Sequence, residues 1–376
     1  NLCAGGWKAV LQDIKCFFGT MKSVLQSDGV VEGGTGELYA KMCSVSECGF
    51  NDYGYLKNFD IDKESEYRVL ITGANSYIGE NFKTYAAGRY SHIIIDTLDM
   101  MGDGWHDYDF TGYHTVFHVA GIAHADVGYV DEDTKAKYYA VNTDLAIEAA
   151  KKARESGVSQ FIFISSMIIY GDSNSYGMEQ VIDEHTIPAP ANFYGDSKWQ
   201  ADKAIRKLAN DSFHVAILRL PMVYGKDSKG NYPALSKLAK TLPLFPAMRN
   251  KRSMLHIDNL CEFVSLLILS GEGGIYFPQN GEYSNTSELV QEIAKVSGKK
   301  IYCTKLLNPM VGIALHIPGK IGGMAKKAFG SVVYSQKLSV YKGMNYQVRT
   351  WKESVVCTEG KADLADGEVK KNKGKK

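Results

Sequence analysis

The sequence predicts an α/β fold: a doubly wound parallel sheet with a smaller C-terminal lobe. Three observations predict it. Short apolar runs alternate with helix-like segments from residue 67 to about 220, these runs are apolar almost throughout rather than at every second position, and the first of them ends in a glycine turn that opens a helix. A strand apolar throughout has both faces covered, which is the condition of a parallel sheet with helices on each side.

The strands are read in order as "RVLITG" from Arg68, "HIIID" ending at Asp96, "TVFHVA" from Thr115, "FIFISS" ending at Ser166, and "HVAILRL" from His214 to Leu220. Between the third and fourth lies "TDLAIEAAKKARESG", where Leu145, Ala146, Ala149 and Ala153 recur at spacings of three and four and so share a helix face. After Leu220 the pattern turns irregular and richer in proline and glycine, as expected of a lobe over the carboxyl ends of the strands, where such sheets bind ligands. The organisation expected is an extension over 1–66 (an amphipathic helix plus linker), a nucleotide-binding domain over 67–220, mainly a substrate lobe over 221–355, and a disordered Lys-rich tail over 356–376.

Composition narrows the function classes. A net charge of +1 gives no bulk attraction to nucleic acid. Seven cysteines are scattered, and the pair Cys43 and Cys48 has no second pair to complete a metal site, so free thiols in a reducing cytosol are expected and no metal. The longest apolar run, "FVSLLILS" from Phe263, falls far short of the ~20 residues of a bilayer span. The chain starts at Asn1 without a signal peptide's basic start, which reads as a fragment of a longer protein.

The turn after the first strand reads Gly73-Ala74-Asn75-Ser76-Tyr77-Ile78-Gly79. A dinucleotide fingerprint wants Gly73 for the tight turn, a small residue in the middle so that a pyrophosphate can approach backbone N–H groups, and Gly79 for close packing of helix on sheet. Ser76 stands where a glycine is usual; it is small, and its hydroxyl can itself donate to a phosphate. Asp96 lies 23 residues beyond Gly73, where an acid accepts both ribose hydroxyls and repels a 2′-phosphate, favouring NAD over NADP; Asp99 is its rival.

"FYGDSKWQAD" places Tyr194 and Lys198 one helical turn apart on one side. An ammonium beside a phenol favours the phenolate, and bringing a phenol from ~10 towards neutrality takes roughly 4 kcal/mol, within reach of a close cation in a dry cleft. Such a phenolate is a general base; taken alone, the spacing reads first as an ordinary surface pair, since it recurs by chance in many helices. "FISSMIIYG" puts Ser165 and Ser166 at the end of the fourth strand, where a hydroxyl can orient a sugar oxygen or simply close the strand.

Taken in order, the glycine turn, the acid, "HVAG", "VNTD", "SSMIIYG" and Tyr-x-x-x-Lys resemble the extended short-chain dehydrogenase/reductase family of nucleotide-sugar epimerases, dehydratases and reductases, over roughly Tyr67 to Thr350. The resemblance implies a Rossmann-like domain with a small substrate lobe. It implies Tyr194 as catalytic base, Lys198 as the residue that lowers its pKa and holds the nicotinamide ribose, and Ser166 as a hydrogen-bond partner of the reacting hydroxyl. Gly73, Ser76, Tyr77, Ile78, Gly79 and Asp96 would hold the cofactor, with Asp109 and Phe110 at adenine, Ala120, Gly121 and Asn142 alongside, and Pro221 in the loop over the nicotinamide. Asn231 and Arg252 resemble residues that grip a nucleoside diphosphate, which an arginine fork suits. Dehydratases of this kind carry an Asp-Glu pair where Met167 and Ile168 stand, so dehydration is disfavoured. What remains is NAD-dependent 4-epimerisation of a UDP-hexose or UDP-N-acetylhexosamine through a transient 4-keto sugar, supplying surface polysaccharide synthesis. NAD(P)H-dependent reduction of a 4-keto-6-deoxy sugar is the alternative, and a non-catalytic NAD(H)-binding sensor is the alternative of another class. Homodimerisation is the family expectation.

The opening "WKAVLQDIKCFFGTMKSVLQSDGVVEGG" is similar to the C-terminal end of bacterial polyprenyl-phosphate sugar-phosphate transferases. That likeness implies a membrane-associated sugar transferase as fused or neighbouring partner and a cytoplasmic location at the inner membrane face. A plain amphipathic helix packing on the enzyme is the competing reading.

Overall fold

The computed structural model describes residues 66–122, 130–171, 179–317, 320–341 and 345–360. The expectations for the N-terminal extension up to residue 65 and for the lysine-rich end from 361 lie outside them.

The elements run β1 (Tyr67–Thr72), α1 (Tyr77–Arg89), β2 (Ile93–Leu98), β3 (Thr115–His118), α2 (Glu132–Tyr139), a π turn (Ala140–Asp144), α3 (Leu145–Glu155), β4 (Gln160–Ser166), β5 (Glu179–Ile182), α4 (Phe193–Arg206), β6 (His214–Leu220) and β7 (Met222–Tyr224). They continue as α5 (Asn231–Thr241), β8 (Leu244–Pro246), β9 (Met254–His256), α6 (Ile257–Ser270), β10 (Gly274–Tyr276), α7 (Thr286–Val296), β11 (Tyr302–Thr304), α8 (Asn308–His316), α9 (Lys320–Phe329), β12 (Ser331–Tyr334) and α10 (Trp351–Glu359).

Six strands form one all-parallel sheet in the order β10-β6-β4-β3-β1-β2. The chain leaves β1 for β2 on one side and returns to β3 on the other, so the switch point lies between β1 and β3, where the loops after the two strands part and leave a crevice. The pleat explains the all-apolar strands. In β1, Leu70 joins one core with Phe161, Phe163 and the alanines of α3, whereas Val69 and Ile71 join the other with Phe82, Ala86 and Phe263. Helix α3 buries Ala146, Ala149, Ala150 and Ala153 completely, a face small enough to lie close on the sheet.

The second lobe has its own core, with Tyr224, Phe245, Leu289, Ile293, Leu315, Phe329 and Val355 buried together. It is not a single C-terminal block. Helix α6 and strand β10 return to the sheet from beyond residue 220: β10 pairs with β6, and α6 packs on α1. At the far end the helix α10 runs past residue 355, opened by a capping box between Thr350 and Glu353.

Candidate active site

The turn after β1 is built by steric necessity. Gly73 has φ of +124°, and a Cβ there would stand 2.7 Å from the backbone nitrogen of Ala120. Asn75 takes φ of 60°, the left-handed conformation asparagine tolerates best after glycine. Ser76 caps α1, accepting the Gly79 N–H on Oγ at 3.2 Å. A Cβ on Gly79 would lie 2.5 Å from that Oγ, so the capping serine at 76 leaves space only for glycine at 79. The hydroxyl proton of Ser76 is not used by this cap and remains available to an anion at the helix N-terminus. Tyr77 points its hydroxyl into the fold, buried and without a hydrogen-bond partner among the described residues, at a place where Gly225 offers no side chain.

Helix α4 carries the phenol and the ammonium. Asn192 caps it through the Gly195 N–H at 2.9 Å. Tyr194 and Lys198 follow one turn apart and are 8% and 5% exposed. The Tyr194 ring meets the edge of Tyr138, with centroids 6.0 Å apart. Lys198 Nζ donates to the Ile164 carbonyl at 3.1 Å and sits 5.1 Å from the centre of the Phe163 ring. Burial pulls its pKa down to about 8. Below it, His118 is fully buried against Phe161 and Phe163 with Nδ1 2.9 Å from Thr72 Oγ1. Burial first, and the Lys198 charge second, lower its pKa to about 3, so it is neutral.

The two serines of β4 point to opposite sides. Ser165 is buried and donates to Asp202 at 3.1 Å. Ser166 faces the crevice, accepting the Ile168 N–H at 3.3 Å with its proton left over.

These parts line one cavity of about 480 Å³. Its wall includes the turn from Asn75 to Ile78, Gly121, Ser166, Tyr194, Lys198, Pro221, Asn231 and Arg252, which the sequence had singled out. Met167 and Ile168 are there too, so no carboxylate stands where a dehydratase would need its pair. Lys229 and Lys327 also line it, and neither was foreseen. Lys229 lies in the loop before α5, and Lys327 is brought in by α9, whose sequence carries no recognisable motif.

Four expected cofactor residues stand differently. Asp96 is in the body of β2, paired with Leu70 two residues before the strand ends, and its carboxylate takes the Tyr113 hydroxyl at 2.8 Å and Arg68 at 3.5 Å. The Leu98 carbonyl accepts both the Gly73 and Ala74 N–H groups, at 2.9 and 3.2 Å, so Asp99 is the acid beside the glycine turn. Asp109 is exposed and accepts the Thr111 N–H at 2.8 Å, while the Phe110 ring is fully buried in the core, 5.2 Å from Lys152 Nζ, so only its backbone can face a ligand. Asn142 is fully buried in the π turn and works through the backbone: it holds the Ile122 N–H and carbonyl at 2.8 and 3.1 Å and reaches Ser197 Oγ at 3.2 Å. It thus ties the loop after β3, at Ile122 next to Gly121, to the helix of Tyr194. A π turn at such a place is a common functional device. Ala120 backs Gly73 and is fixed by its N–H to Thr72 at 2.9 Å. A Cβ on Gly121 would come 3.0 Å from Lys198 Nζ.

The chain is similar to known proteins across most of this architecture. UDP-glucose 4-epimerase of Vibrio cholerae is 28% identical over 284 residues, 67% of this chain and 84% of its own. N-acetyl-alpha-D-glucosaminyl-diphospho-ditrans,octacis-undecaprenol 4-epimerase of Escherichia coli O157:H7 is 28% identical over 286 residues, 70% of this chain and 83% of its own. The structure of UDP-glucuronic acid 4-epimerase from Bacillus cereus, in complex with NAD, superposes with a TM-score of 0.57 at 16% identity, covering 78% of this chain and 97% of that one, a likeness of fold. Residues 69–277, more than half of the chain, match the family model for these enzymes, and the chain belongs to the NAD dependent epimerase/dehydratase family.

Proposed function

We propose that the protein is a nucleotide-sugar 4-epimerase that uses NAD and acts on a UDP-linked hexose or N-acetylhexosamine. One observation carries this reading: the turn from Asn75 to Ile78, Ser166, Tyr194, Lys198 and Arg252 line a single cavity, and among the described residues that line it there is no carboxylate to serve dehydration. The residues present fit a dinucleotide. The Ser76 hydroxyl proton at the start of α1 is not used by its cap, and the Lys198 ammonium, with three donors, spends one on Ile164. Asp99, beside the turn, accepts Met101 N–H on one oxygen at 3.0 Å and keeps the other for a ribose, where its charge disfavours a 2′-phosphate.

When bound, NAD supplies a reversible two-electron acceptor next to the sugar ring. Lys198 stabilises the phenolate of Tyr194, which takes the proton of the 4-hydroxyl and later returns it. Ser166 donates to the same sugar oxygen and keeps it oriented as it passes through the ketone. Arg252, Lys229 and Lys327 hold the diphosphate from the other lobe while the sugar turns over, and Asn231 at the start of α5 adds a polar contact. The two relatives reported above are both 4-epimerases by name, which supports this choice over a 4-keto-sugar reductase.

The test is to incubate purified protein with UDP-glucose and UDP-N-acetylglucosamine without added cofactor. Formation of the 4-epimers is expected. A strict requirement for stoichiometric NAD(P)H together with a 4-keto sugar would replace epimerisation by reduction, and inertness towards both, with NAD bound, would leave a sensor.

A further inference from the structure

Between Glu292 and Glu353 the chain has no acidic residue, yet this stretch of 60 residues carries ten lysines and one arginine in a protein whose whole net charge is +1. The same stretch holds a concentration of exposed apolar side chains. Among the described residues eleven large hydrophobic side chains stand exposed; Tyr302, Leu306, Ile313 and Ile317 lie in this stretch, at 86% for Leu306 and 67% for Ile313, and Leu244 of β8 joins them from outside it.

They belong to one surface. Tyr302 of β11 pairs with Leu244 of β8, so the two side chains share a face. The turn after β11 presents Leu306, and α8 follows directly. Helix α8, "NPMVGIALH", contains no Asp, Glu, Lys or Arg. It turns Val311, Ala314 and Leu315 into the lobe's core and leaves Pro309 and Ile313 outward. Leu306, Pro309, Ile313 and Ile317 recur at spacings of three, four and four, which is one stripe along the helix. Lys299, Lys300 and Lys305 are exposed beside it and form no ion pair among the described residues.

We infer that this stripe and its lysines form a docking surface for an anionic lipid bilayer, on which the protein lies with α8 at the interface. An apolar stripe edged by lysines is the composition that seats a helix at the boundary of headgroups and acyl chains, with the ammonium groups at the level of the lipid phosphates. A second copy of the chain is a poorer occupant, because a two-fold contact would set the same acid-free segment against itself, lysine facing lysine. The described residues contain no helix long and apolar enough to cross a membrane, so the contact is interfacial. Helix α8 packs on α9, which supplies Lys327 to the cavity, so docking holds the cavity one helix away from the membrane. The inference does not rest on the proposed reaction, since lipid binding needs no turnover.

The experiment is flotation of the full chain with phosphatidylcholine vesicles, with and without phosphatidylglycerol. The protein is expected to float with the anionic vesicles and not with phosphatidylcholine alone. The double variant L306D/I313D is expected to bind at least about tenfold more weakly, and K299E/K300E/K305E likewise, with unchanged circular dichroism and unchanged turnover of a soluble nucleotide sugar. Failure of the wild type to float overturns the inference. So does equal flotation of L306D/I313D, which would assign lipid binding to the chain ends, and so does a fall of L306D/I313D from dimer to monomer, which would make the stripe a contact between copies.

Discussion

Helix α4 buries two ionisable side chains one turn apart, and it treats them in opposite ways. Asp202 is fully buried and accepts four hydrogen bonds: from Ser165 at 3.1 Å, Arg206 at 2.9 Å, and Arg219 at 2.9 and 3.1 Å. Burial alone would raise its carboxyl, but Arg219 and Arg206 outweigh burial and hold it below the usual range. Arg219, itself fully buried, spends a further donor on the Tyr170 hydroxyl at 2.8 Å. Lys198 has no carboxylate partner among the described residues, and burial depresses its pKa to about 8. A buried charge whose bonds are all met is scaffold. One left short of partners is being kept for a ligand. The first makes the second tolerable: Asp202 pins α4 to β4 and β6, and the fixed helix then carries Tyr194 and Lys198 into the crevice.

The largest effect should come from the phenol. Tyr194→Phe removes one oxygen from a packed ring and is expected to lower kcat by about 10²–10⁴-fold, the usual contribution of a positioned acid–base group. Thermal unfolding should change little. A variant that keeps near-normal epimer formation would remove Tyr194 from the chemistry.

Breaking the other site should do the reverse. Asp202→Ala leaves Arg219 buried without its counter-ion and is expected to cost about 3–5 kcal/mol of stability in a denaturant titration. Activity per folded molecule should fall less than in Tyr194→Phe. A cost below about 1 kcal/mol would show that water or neighbouring groups take over the guanidinium.

Lys198→Met sharpens the contrast because it should stabilise the free protein while lowering turnover, by less than Tyr194→Phe does. The Lys198 pKa falls from 10.5 to about 8, so burial of the ammonium is paid in full below pH 8 and relieved as the pH rises from 8 to 10.5. The methionine variant should therefore be more stable at pH 7, by up to about 3 kcal/mol, and the advantage should shrink towards pH 10. A destabilised variant at pH 7 would mean that Lys198 is a structural residue like Asp202.

The sequence made the local parts of this site legible and not the long-range ones. Gly73, Ser76 and Gly79 act within one turn, and Tyr194 and Lys198 within another, so spacing along the chain was enough. Asp96 was placed by counting residues from Gly73, but where β2 ends is decided by its register on β1, Thr72 against Leu98, which sets Asp99 rather than Asp96 next to the glycine turn. Lys327 enters the cavity from 133 residues beyond Tyr194 in sequence, on a helix with no local signature. The sheet was readable because its inner strands β1, β3, β4 and β6 are buried on both faces. Its last strand, β10, is three residues long, and from sequence alone it fell inside the lobe.

The smallest predicted effect concerns the layer under Lys198. His118 has its Nδ1 on Thr72, its ring stacked on two phenylalanines, and a pKa of about 3, against 6.5 in an unfolded chain. His256, also buried, is lowered to about 4, chiefly by burial. Above pH 6.5 neither form binds the proton and stability is flat with respect to these groups. As pH falls below 6.5 the unfolded chain takes up protons that the folded one refuses, so stability is lost from there down towards pH 3. At pH 5 the loss should be about 2 kcal/mol for each histidine. Denaturant titrations at pH 7 and pH 5 measure it, and His118→Gln should remove about half of the difference. An unchanged difference in that variant would mean that His118 already holds a proton in the fold, and Lys198 would then face a cation rather than a neutral ring.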